Sequence, residues 1–114
     1  MKHEMKLQPK YYDYILKGTK KIELRLNDEK RQLINIGDII KFVKEPESKE
    51  CFECKVIDLL KYDSFEELFE NYDIEILADK SMTKDELINV IEEFYTKEKQ
   101  KQYGVLGIKI DLIK

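Results

Sequence analysis

The chain has 114 residues, about the length of one domain, and its 42% apolar content, with five Phe and seven Tyr spread throughout, is too rich in buriable surface for a disordered segment despite 39% charge. No apolar run approaches the roughly 20 residues that span a bilayer, and Met1-Lys2-His3-Glu4-Met5 has no apolar signal region behind it, so a soluble cytoplasmic protein of one domain, residues 1–114, is expected. A net charge of −3 argues against a general polyanion binder, yet residues 1–31 hold 9 Lys+Arg against 5 Asp+Glu, a local basic excess able to form a phosphate-facing patch or simply an uneven surface.

Met5-Lys6-Leu7 reads as a short strand. Pro9 then opens a helix that Gly18 closes, the favoured asymmetry of helix ends. Within it Tyr12, Ile15 and Leu16 share a face expected to be buried, with Tyr11 and Tyr14 at its margins. Next, Ile22, Leu24 and Leu26 alternate with Lys21, Glu23 and Arg25, the period-two signature of a strand. Residues 27–32 are polar and read as loop or a single helical turn, and Asn35-Ile36-Gly37-Asp38 is a turn before the strand Ile39–Val43.

After the loop Glu45–Lys49 comes a long strand, Phe52–Tyr62, whose adjacent Val56 and Ile57 suggest a bulge or burial on both sides. It is expected to form a hairpin with the strand before it. Alternation sends Cys51 and Cys54 to opposite faces, which fits structural thiols better than a redox pair. With His3 the only histidine, a four-ligand zinc site is not expected, nor is any other metal or cofactor.

Ser64 with Glu67, and Thr83 with Glu86, form capping boxes for helices over residues 65–70 and 84–95, the second carrying the stripe Leu87, Val90, Ile91, Phe94. Lys97–Lys101 reads as a charged connector, and Tyr103–Ile113 as a closing strand. The sum is an α+β fold: a small open β-barrel of about five mainly antiparallel strands with two to three flanking helices bordering a cleft.

The stretch Gly18-Thr19-Lys20-Lys21-Ile22-Glu23-Leu24-Arg25 carries the chemistry. Gly18 permits an abrupt helix end, letting Lys20 emerge at the corner while Glu23 and Arg25 project from one strand face. Arg offers a planar fork for phosphate or a base edge, Lys a mobile charge, and Glu an acceptor for an exocyclic amine. A solvent-facing strand with weak cross-strand ion pairs would look the same. Strict alternation puts Lys21, not Lys20, beside Glu23 and Arg25.

Gly18-x-Lys20-x-x-Glu23-x-Arg25, after a Tyr-rich helix and before Ile36-Gly37-Asp38-Ile39, resembles the ASCH domain, and with the terminal Tyr-Gly-Val strand the resemblance covers nearly the whole chain. It implies a PUA-like barrel whose cleft suits RNA or a nucleotide, and in some members a small hydrolase. On this reading Lys20, Glu23 and Arg25 bind the ligand, phosphate contacts dominate, and Lys21 and either Tyr11 or Tyr103 line the cleft for stacking. Gly18 and Gly37 make the structural turns.

One similar branch is a metal-independent amidohydrolase of acetylated cytidine that uses a lysine, a threonine three positions later and a glutamate before the last long helix. Lys20 matches that lysine, making Lys20 and Glu23 the catalytic candidates, but Glu23 stands at the threonine position and Lys80 where the glutamate would lie. A third alternative is a protein-interaction module using the acidic residues Glu66, Glu67, Glu70, Glu92 and Glu93.

Overall fold

The computed structural model describes residues 1–114 as five strands and five α-helices. In chain order these are β1 (Lys2–Leu7), α1 (Pro9–Leu16), β2 (Ile22–Leu26), a 3-10 turn (Arg31–Leu33), β3 (Ile39–Lys44), β4 (Cys51–Tyr62), α2 (Phe65–Glu70), α3 (Ile74–Leu77), α4 (Lys84–Phe94), α5 (Lys97–Tyr103) and β5 (Val105–Leu112). The strands form one mixed sheet in the order β1-β3-β4-β5-β2, parallel only between β1 and β3. The sheet curls into a half-barrel, an α+β fold as expected.

Its curl brings the outer strands β1 and β2 together along a seam, where the Arg25 side chain donates from Nη2 to the Lys6 carbonyl at 2.8 Å. An unpaired edge carbonyl is thereby satisfied by a side chain instead of a strand partner. Two apolar clusters cover the two faces of the sheet. One gathers Tyr12 and Ile15 of α1 with Phe42, Val56, Ile108 and Ile110. The other packs Ile22, Leu24 and Leu26 of β2 against Phe65 and Leu68 of α2, Leu77 of α3, and Leu87 and Ile91 of α4.

β2 packs Ile22, Leu24 and Leu26 on one side, and on the other Glu23 is buried and Arg25 half-buried, which rules out a solvent-facing strand. Val56 and Ile57 do mark a bulge, seen as a register shift against β5 between Val56 and Asp58. Cys51 is exposed and Cys54 buried, on opposite faces, and burial, with Asp111 and Glu23 nearby, pushes the Cys54 thiol up to about 12.

Four expectations need correction. The flanking helices number five rather than two or three. Lys97–Tyr103 is a helix, not a connector: the Thr96 hydroxyl accepts from the Lys99 amide, and buried Gln100 accepts from Phe65 N at 3.1 Å and donates to Tyr95 O at 2.9 Å. Tyr103 accordingly ends α5, and the strand starts at Val105 after Gly104, whose φ of +73° needs no side chain. Leu16 is exposed, because α1 turns only Tyr12 and Ile15 inward.

At the turn before β3, Gly37 takes φ +96° and Asp38 accepts from His3 Nε2 at 2.8 Å, Asn35 N at 3.0 Å and the N-terminal ammonium at 3.2 Å. The His3 and Asn35 contacts hold the Asp38 carboxyl at about 2, against an ordinary 3.8. A depressed carboxylate stabilises the fold above its ordinary pKa and loses that contribution as pH falls through the folded value. Unfolding free energy should therefore decline from about pH 4 toward pH 2, and less steeply in Asp38→Asn; parallel urea-denaturation curves for the two proteins across that window would refute the assignment.

Candidate functional site

The corner between α1 and β2 makes the site. Gly18 adopts φ +93°, and the amides of Thr19 and Lys20 both donate to Tyr14 O at 3.1 Å, folding the chain tightly over the end of α1. β2 proper begins only at Ile22, so Lys20 escapes the pleat and turns inward, 3% exposed. Lys21 spans from α3 to β5 by its backbone, donating to Ile76 O and accepting from Ile110 N, but its side chain is exposed. Lys20, not Lys21, stands with Glu23 and Arg25.

The three side chains form one connected chain of charge. Lys20 Nζ donates to Ile22 O at 2.6 Å and Leu77 O at 2.7 Å, and lies 3.5 Å from Glu23 Oε1. Glu23 Oε2 accepts from Arg25 Nε at 2.9 Å, and Arg25 Nη2 lies 2.8 Å from the same oxygen. Burial lowers the Lys20 ammonium below its ordinary value, with Glu23 opposing. Burial works against the Arg25 charge too, but Glu23, with Tyr95 behind it, outweighs that and lifts the guanidinium above its ordinary value.

This chain forms the floor of a cavity of about 200 Å³. Leu24 shares the floor; Tyr11 stands on one side, 5.8 Å from Lys20 Nζ, and Leu87, Val90, Ile91 and Phe94 of α4 with Tyr95 make the other. Half of the expected α4 stripe thus serves the core, through Leu87 and Ile91, while Phe94 is 58% exposed at the cavity. Lys6, Gln8 and Glu45 bring polar groups from the ends of β1 and β3.

Of the expected site residues, Lys20, Glu23, Arg25 and Tyr11 meet here, whereas Lys21 and Tyr103 do not line the cavity. Tyr103 packs against the α2–α4 cluster instead, as its place at the end of α5 requires. Lys80 is exposed between α3 and α4, away from the lining. Tyr95 and Phe94 were missed; an aromatic pair closing an amphipathic helix was the available signal. No group of three or more His, Cys, Asp or Glu is arranged to hold a metal ion.

Residues 5–114 match the ASCH domain. The chain belongs to the ASCH domain family. Among solved structures, the ASCH fold seen here is similar to the hypothetical protein PH0355, with 42% identity, a TM-score of 0.87 and coverage of 99% of this chain and 100% of that one. It is also similar to protein PF0455 from Pyrococcus furiosus, with 37% identity, a TM-score of 0.80 and coverage of 100% and 99%. A serine-to-alanine mutant of ZmASCH from Zymomonas mobilis shares the fold at 13% identity, with a TM-score of 0.68 over 95% of this chain and 66% of that chain. No curated protein matches. The PUA-like half-barrel of this ASCH domain thus stands on sequence and on shape.

Removing the charge on Glu23 would leave two buried cations without a counter-ion, a change that costs about 3–5 kcal/mol when a buried pair is broken. Glu23→Gln is expected toward the lower end of that range, because the amide still accepts hydrogen bonds, while Lys21→Gln should stay within about 0.5 kcal/mol of wild type. Urea midpoints at constant slope measure both. Equal effects would contradict the inward placement of Lys20.

Proposed function

We propose that this cavity binds a single nucleobase, carried by a free nucleoside or nucleotide or splayed out from single-stranded RNA. The observation that carries the proposal is the Glu23 carboxylate, 5% exposed on the cavity floor, whose Oε1 has its cation 3.5 Å away and so keeps lone pairs for an incoming donor. An exocyclic amine is such a donor. Tyr11, Phe94 and Tyr95 supply ring faces around it, as aromatic side chains do wherever unstacked bases are held. A volume of about 200 Å³ lies below the roughly 300–1,000 Å³ of drug-sized sites, which suits one ring and not a duplex.

A dominant phosphate contact in this cavity is not favoured, because Lys20 already donates to two carbonyls beside Glu23 and Arg25 already serves Glu23 and Lys6. Affinity here comes from stacking and from the carboxylate, with a shallow salt dependence. Titration of 15N-labelled protein with cytidine, adenosine, uridine, their monophosphates and a short single-stranded RNA tests this. The amine-bearing bases should shift the Glu23, Arg25 and Ile91 amides and bind more tightly than uridine. Glu23→Gln should erase that preference, and Phe94→Ala should weaken binding about tenfold. Indifference of the cavity amides to every one of these compounds, or equal binding of uridine, would overturn the reading.

The lowered Lys20 beside a carboxylate favours a second reading, a small amidohydrolase of acetylated cytidine in which the amine assists proton transfer. No serine, threonine or cysteine lines the cavity, so the nucleophile in that case is water. Release of acetate from acetylated cytidine, abolished in Lys20→Met with the fold intact, supports it; no release by the wild-type protein removes it.

A further inference from the structure

The seam between β1 and β2 holds main-chain groups that the floor side chains do not use. Across β2 and β5, Ile110 N donates to Lys21 O and Asn27 N to Gly104 O, both at 3.0 Å. Stepping two residues at a time through the register makes Glu23–Ile108 and Arg25–Leu106 the hydrogen-bonded pairs and Leu24–Gly107 a non-bonded one. The N–H and C=O of Leu24 therefore point away from β5. β2 is the last strand of the sheet, so no ladder meets them on that side, and no other group of the chain bonds to them.

The facing edge of β1 follows the same rule. Met1 O accepts from Ile39 N and Leu7 O from Glu45 N, so the odd-numbered residues of β1 face β3 and Lys6 turns its peptide to the seam. Side chains take up two of the carbonyls that meet there. Lys20 Nζ donates to Ile22 O at 2.6 Å, and Arg25 Nη2 to Lys6 O at 2.8 Å. Leu24, two residues on from Ile22, keeps both of its groups unpartnered.

Leu24 also lies on the cavity floor beside Glu23. Its side chain packs among the helices with Leu87 and Ile91, so what it turns to the seam is its peptide edge. Main-chain donors and acceptors held away from water are nearly always paired, and this residue is only 6% exposed. An unpaired donor and acceptor at a cavity floor call for a partner that enters the cavity.

Resting on the nucleobase reading above, we propose that the Leu24 peptide edge reads the ring of the base. Its N–H donates to an unprotonated ring nitrogen, and its C=O accepts one hydrogen of the exocyclic amine whose other hydrogen goes to Glu23. The base that satisfies all three groups carries an amine beside a ring acceptor, as cytosine does at N4 and N3 and adenine at N6 and N1. Within one extended residue the N–H and C=O lie side by side, as neighbouring groups do on a base edge. An added β-strand does not fit, because it would pair with every second residue of this edge. Lys20 already covers Ile22 O, and the Arg25 side chain crosses the gap to β1.

Because the determinant is main chain, the test varies the ligand and leaves the protein intact. The 15N-labelled full chain is titrated with cytidine and with 3-deazacytidine, which keeps the amine, the carbonyl and the ribose but has C–H in place of the ring nitrogen. The readouts are affinity and the proton shift and hydrogen exchange of the Leu24 amide. In the free protein this amide should exchange faster than those of Glu23 and Arg25, which the β5 ladder holds. Cytidine should move it downfield and slow its exchange, and 3-deazacytidine should bind about tenfold more weakly without slowing it. Equal affinity for the two nucleosides overturns the proposal, as does a Leu24 amide that exchanges equally fast in the free protein and the cytidine complex. Cytidine shifts at Glu23 and Ile91 with Leu24 unmoved remove this proposal alone, whereas silence of all these amides toward every base removes the nucleobase reading with it.

Discussion

One carboxylate joins three parts of this protein that the backbone does not join. Glu23 faces Lys20, which hangs from the corner after α1 and reaches the carbonyl that ends α3, and it faces Arg25, which crosses the seam to β1. The half-barrel is open along that seam, with no ladder between β1 and β2 to close it. Buried cations are tolerated only with a counter-charge and hydrogen-bond acceptors, and here Glu23 and the carbonyls of Ile22, Leu77 and Lys6 provide them. The same carboxylate thus keeps the corner, the helical insert and the seam in mutual register, and it leaves a preformed polar floor under an apolar cavity.

Much of this was legible because local chemistry and global fold agree. Pro9 and Gly18 bracket α1, Ser64 and Thr83 cap α2 and α4, and alternation marks β2 and β5. α5 was not legible, because Lys97–Tyr103 has no apolar stripe; a buried glutamine ties it down, and hydrophobic periodicity cannot register a polar anchor. The choice between Lys20 and Lys21 was closed to alternation for a related reason. The pleat starts at Ile22, and what precedes it is shaped by bonds to Tyr14 in α1 and to Ile76, far along the chain in α3. The facing of β4 beyond Val56 was equally hidden, since a single inserted residue inverts every face after it.

The basic excess near the start of the chain shows how charge in a sequence differs from charge available to a ligand. Lys20 and Arg25 belong to that excess, but their donors are committed to Glu23 and to the carbonyls of Ile22, Leu77 and Lys6. They build the fold first. Lys21 belongs to it as well, and its side chain is exposed. Spacing in the sequence cannot separate these cases, because the difference lies in which carbonyls the folded chain delivers to each cation.

Shared architecture does not decide what such a cavity holds. The ZmASCH structure keeps this fold at 13% identity, so the half-barrel accommodates nearly complete replacement of its side chains. Function must then be argued from the residues that this chain itself places at the floor and rim. Glu23 is the deciding one. A hydroxyl in its place would be neutral, would leave Lys20 and Arg25 without a counter-ion, and would free both for an anionic ligand. With a carboxylate there, the cations are retained inside the protein, and the cavity presents acceptor oxygens framed by rings. On the reading proposed above, the complement to such a floor is a flat donor, because the cations beneath it already face a carboxylate.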